Sequence, residues 1–97
     1  MKKNNPIENI RKEIDELDLE ILDLLGKRKT LVSEIVKYKT RDQIIDNKRI
    51  NIMMDRLEEE SKKKKIPFEI VKKVWNSMIK GFIDFEHEIF NKKNNVI

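Results

Sequence analysis

Apolar residues recur at Ile7, Ile10, Ile14, Leu17, Ile21, Leu24, Leu31, Ile35 and Tyr38, in steps of three and four interrupted once, at Arg28. That spacing predicts a helix with a coiled-coil-like seam sustained for more than four heptads. Its start is marked by Asn5-Pro6, an N-cap followed by a residue suited to the first helical position, with Glu8 three residues after the cap. The helix is expected over about residues 6–40. A second helix is expected from an N-cap at Asp46, with Ile50, Met53, Met54 and Leu57 at helical spacing, after a short connection containing RDQII. Ile66-Pro67 then restarts the chain, with Glu69 favourably placed near a helix N-terminus. The third helix carries Ile70, Val71, Val74, Trp75, Met78, Ile79, Phe82, Ile83, Ile89 and Phe90, and its tail turns polar at about residue 92. No internal repeat or linker interrupts this pattern. The expectation is one all-α domain of three helices over residues 1–97, with an ordered core over about 5–91.

The length of the first helix changes the picture. At 1.5 Å per residue it spans about 50 Å, whereas a compact globule of this chain length has a diameter of about 32 Å. The apolar seam continues along the overhang, and soluble monomers do not expose a patch of that size. A second copy of the chain, interleaved about a two-fold axis, is the simplest cover, so an intertwined homodimer is expected.

Composition mainly excludes. Charged residues make up 41% of the 97 residues and apolar ones 38%, with two glycines, two prolines and no alanine. Hairpins and glycine-rich turns lack their raw material. Without cysteine there is no disulfide framework and no thiol nucleophile, and a single histidine, His87, rules out a multi-histidine metal site. Neither a metal nor a cofactor is expected. Ser33, Ser61 and Ser77 lack the companions of a catalytic triad. The net charge of +4 resides largely in the lysines at 62–65 and near the ends, where such runs form solvated turns or tails, so no nucleic-acid partner is expected. No apolar stretch long enough for a membrane span or a signal segment is visible, and the expected compartment is the cytoplasm.

Polar residues at apolar positions carry the candidate chemistry. Arg28 occupies a seam position, where a guanidinium needs either a carboxylate of its own chain or an anionic ligand. Lys39 follows it by 11 residues, which on one continuous helix places the two within about 20° of each other and about 16 Å apart, a gap fit for a compact dianion. Arg11 precedes Arg28 by 17 residues and falls on another face, from which it would reach the site of a partner chain. Glu86 lies along the apolar stripe of the third helix, four after Phe82 and three before Ile89. It calls for an interhelical salt bridge or a buried acid. His87 lies off that stripe and is expected at the surface. Gly26 and Gly81 fall inside predicted helices, either merely tolerated there or admitting a close neighbour.

The segment NPIENIRKEIDELDLEILDLLGKRKTLVSEIVKYK resembles the opening helix of the all-helical (AroQ-class) chorismate mutases, including the R-x-x-I-D-x-x-D…R…K pattern. The likeness extends over about residues 5–90. It implies an interlocked homodimer with two active sites that rearranges chorismate to prephenate in aromatic amino acid biosynthesis. On that likeness Arg28 and Lys39 bind the substrate's carboxylates and ether region, and Arg11 reaches in from the other subunit. Asp46 and Arg49, in IIDNKRI, fall on ligand-site positions, and Glu86 falls near the ether oxygen, where glutamine is common. Two positions depart from the pattern. Ile50 replaces a glutamate that meets the ring hydroxyl, and Phe82 replaces a small hydroxyl residue. Apolar residues at the first position resemble isochorismate-pyruvate lyases and aminodeoxychorismate mutases, which stay open as alternatives. A non-enzymatic helical dimerisation module would also explain the seam, but would require an internal partner for Arg28.

Overall fold

A computed structural model of the chain describes residues 5–94. Among them the backbone forms three α-helices, α1 (Pro6–Val36), α2 (Asn47–Lys64) and α3 (Phe68–Asn94), with a 3-10 turn at Arg41–Gln43 and no strand. None of these helices is long and apolar enough to cross a membrane. The all-α, three-helix expectation is met. The expected domain ends, residues 1–4 and 95–97, lie outside the described residues.

Two compact units partition the chain, Met1–Leu31 and Val32–Ile97. In the first, α1 begins where the Asn5 side chain accepts from the backbone N–H groups of Ile7 (3.0 Å) and Glu8 (3.4 Å). This satisfies two of the donors that every helix start leaves open. The seam residues Ile7, Ile10, Ile14, Leu17, Ile21, Leu24 and Leu31 are each 49–70% exposed. Leu19 and Leu22, off the seam, are 63% and 62% exposed, so apolar side chains stand on more than one face of this helix.

The second unit holds the core. Val36, Ile44 and Val71 are buried, together with Ser61 and Glu86. α2 and α3 pack against each other, each turning apolar residues inward. Ile50, Met53, Met54 and Leu57 of α2 are half-buried, as are Trp75, Met78 and Phe82 of α3. Asp46 caps α2 as expected, its carboxylate accepting from the Arg49 N–H at 3.0 Å. Ser61 spends its hydroxyl inside α2, donating to the Leu57 carbonyl at 2.6 Å. A Schellman turn ends α2. Ile66 N–H donates to Ser61 O at 2.9 Å and Lys65 N–H to Lys62 O at 3.3 Å, with Lys65 in the left-handed region at φ 57°. The helix therefore runs through most of the EEESKKKK stretch, and Pro67 immediately precedes α3.

One boundary differs in a way that matters. α1 was expected to reach about residue 40 but ends at Val36. Lys37, Tyr38 and Lys39 donate to the carbonyls of Glu34, Ile35 and Val36, three residues back rather than four, so the last turn tightens and the helix closes. Thr40 then opens the 3-10 turn in an extended conformation. The helical geometry inferred for Arg28 and Lys39 does not hold, because Lys39 lies beyond the end of the helix.

Candidate active site

Lys39 and Glu86 meet. The Lys39 ammonium donates to Glu86 Oε1 at 2.8 Å, with the two side chains 22% and 9% exposed. Each is placed by a different cause. Glu86 is carried into the core by the period of α3, whose apolar stripe it shares with Phe82 and Ile89. Lys39 is carried there by the early end of α1, which turns the chain onto α3. Glu86 thus has a salt bridge, though to the connection after α1 rather than to another helix, and it joins residues 47 apart in the chain. A half-buried ammonium beside a buried carboxyl provides two groups able to donate to one oxygen, provided the carboxyl carries its proton.

Sequence reasoning missed the contacts that surround this pair. The Arg41 guanidinium stands 5.0 Å over the Phe90 ring, a cation–π geometry. Lys93 Nζ donates to the Lys37 carbonyl at 3.3 Å. Phe82 and Phe85 pack edge to face, with centroids 6.3 Å apart and ring planes at 81°. A signal was present in the spacing of Glu86, Phe90 and Lys93, which at i, i+4 and i+7 share one face of α3. Asp42 accepts from the Thr40 hydroxyl at 2.5 Å, and this bond with a backbone N–H holds its carboxyl below the ordinary aspartate range.

The other candidates are distributed along the helices. Arg28 is half-buried on α1 with Nη1 shut off from solvent, and Arg11 is exposed on the same helix. Seventeen residues separate them, about 26 Å along the axis. A single small dianion cannot touch both from one chain. Asp46 and Arg49 are neighbours at the start of α2, both exposed, with the Asp46 carboxylate already engaged in the cap. Ile50 and Phe82 are half-buried and present apolar surface. His87, expected at the surface, is half-buried. Among the described residues nothing lies within 4 Å of where a Cβ would stand on Gly26 or Gly81. Among the described residues no group of three or more His, Asp or Glu is placed to hold a metal ion.

Comparison with known families gives one finding. The family model described as chorismate mutase type II matches residues 10–87, a span that contains Arg11, Arg28, Lys39, Asp46, Arg49, Ile50, Phe82 and Glu86. No curated protein and no solved structure matches the chain significantly.

Proposed function

Since the chain belongs to the chorismate mutase type II family, we propose that it is an enzyme that rearranges chorismate to prephenate, acting as a homodimer. The observation that carries this reading is the ammonium–carboxyl pair of Lys39 and Glu86, 2.8 Å apart and largely withdrawn from water. The reaction breaks one C–O bond of the ether and forms one C–C bond within the same molecule. It needs no nucleophile, no external proton and no redox partner. Catalysis then consists of holding the enolpyruvyl arm over the ring and stabilising the negative charge that gathers on the ether oxygen.

In this reading Lys39 and protonated Glu86 both donate to the ether oxygen. Arg28 and Arg11 of the partner subunit grip the two carboxylates, which suit the bidentate fork of a guanidinium. Asp46 and Arg49 flank the ring, and Ile50 and Phe82 line the pocket. Two observations support a partner in this reading. Arg11 and Arg28 of one chain are too far apart for one ligand, and the seam of α1 is more than half exposed at most of its positions. Removal of one donor to the ether oxygen costs on the order of 10²–10³ in kcat.

A second reading has its own observation. Ile50 offers no hydrogen bond where a ring hydroxyl would lie, and it is half-buried. That apolar wall suits isochorismate, cleaved to pyruvate and salicylate, or aminodeoxychorismate on the same cationic frame. Incubation with chorismate and, separately, isochorismate, with identification of the products, decides between them. Absence of any turnover, together with failure to bind a bicyclic dicarboxylate transition-state analogue, would remove the enzymatic reading.

A further inference from the structure

Lys39 sits in no regular element. α1 stops at Val36 and the 3-10 turn starts at Arg41, so residues 37–40 form a connection whose first three N–H groups bond three residues back. A lysine side chain on such a connection would still spread its ammonium over many positions unless its surroundings held it. Among the contacts that tie this segment to the last turns of α3 are these three. Lys93 Nζ holds the Lys37 carbonyl, Glu86 holds the Lys39 ammonium, and the Phe90 ring holds the Arg41 guanidinium. The first of these is exposed and long at 3.3 Å, and the second is the very contact that must rearrange when a substrate arrives. Of these three, the Arg41–Phe90 contact is the one left to anchor the segment on α3, beside the buried Val36 and Ile44 that flank it. Arg41 passes its placement back along the chain through Thr40, whose N–H donates to Gln43 Oε1 at 2.9 Å and whose carbonyl accepts from the Gln43 N–H at 3.0 Å. That pair of bonds makes the turn a stiff unit.

We infer that Arg41 and Phe90 are positioning residues: the guanidinium stacked on the ring clamps the connection so that Lys39 stays aimed at the reacting oxygen when its bond to Glu86 is given up. The inference rests on the reading of Lys39 and Glu86 under Proposed function. Neither Arg41 nor Phe90 touches the substrate. Their loss acts through Lys39, on an interaction made fully only in the transition state, so it lowers kcat and leaves KM little changed.

A double-mutant cycle in the full chain tests this, with chorismate as substrate and helicity and thermal midpoint recorded for each variant. Phe90→Leu, which keeps apolar bulk and removes the π face, is expected to lower kcat about tenfold, since small misplacements of a catalytic group cost one to two orders of magnitude. Phe90→Trp, which keeps a face for the guanidinium, is expected to restore turnover. In a Lys39→Ala background Phe90→Leu should cost nothing further, because residues acting through one another are not additive. An equal loss from Phe90→Leu in both backgrounds, or leucine performing as well as tryptophan, would mean that the ring only packs, and would overturn the inference. Should Phe90→Leu fail to fold, Arg41→Gln on the exposed side of the contact enters the same cycle with the same expectations. A Lys39→Ala chain of undiminished turnover overturns the reading of the site itself, and the inference with it. A crippled Lys39→Ala beside a fully active, folded Phe90→Leu overturns the inference alone.

Discussion

Replacing Glu86 by glutamine separates the shape of this side chain from its charge. Lys39 Nζ and Glu86 Oε1 stand 2.8 Å apart, with the carboxyl 9% and the ammonium 22% exposed. At an effective dielectric near 20 two unit charges so placed attract by about 4–6 kcal/mol, and withdrawing both from water opposes this by a similar amount. Glutamine keeps an oxygen for the Lys39 ammonium, so Glu86→Gln is expected to change stability by about 1 kcal/mol or less. Glu86→Ala strands the ammonium beside a hole and should cost about 2–3 kcal/mol. Catalysis responds differently. In the free chain Glu86 accepts from Lys39, whereas donation to an ether oxygen requires the acid form. An amide donates at every pH. Glu86→Gln should keep turnover, whereas Glu86→Ala should lower kcat by about 10²–10³, measured by following chorismate loss. A glutamine variant as slow as the alanine variant would refute the role given to Glu86 as a donor.

The shared site makes a complementation test possible: Arg11→Ala and Arg28→Ala chains, each inactive alone, should regain one intact site per heterodimer when mixed and refolded together, and well-formed heterodimers without activity would contradict it. Leu17, 55% exposed on α1, should be covered in the dimer. Leu17→Lys removes about 1 kcal/mol of burial per chain and should raise the dimer Kd by more than about thirtyfold, whereas an unchanged sedimentation mass would place the interface elsewhere. Ile50→Glu restores an acceptor for a ring hydroxyl and should improve chorismate turnover if the chain is a weakened mutase, while a loss of activity towards chorismate favours the isochorismate or aminodeoxychorismate reading. Lys65 holds a left-handed backbone at φ 57° that glycine adopts without strain. Lys65→Gly should raise stability by about 1 kcal/mol in urea unfolding, and destabilisation would mean that the lysine side chain contributes more than its backbone costs.

The local features were legible because local features are written in adjacent residues. Asn5 before Pro6 and Asp46 before α2 are caps whose side chains bond N–H groups two or three positions away, and a cap needs nothing distant to form. The period of the apolar residues identified three helices and the odd placement of Arg28 and Glu86, because a helix repeats every 3.6 residues whatever it packs against. Tertiary structure decided the rest. No glycine or proline marks the end of α1, so its close at Val36 depends on the turn that follows, and the end of α2 is hidden because a lysine stands where glycine would announce the stop. Nothing near Lys39 names its partner, 47 residues away, and nothing near Arg41 names the Phe90 ring. Such pairings are chosen by how two helices and a connection pack, a sum of many weak contacts that no short stretch of residues encodes.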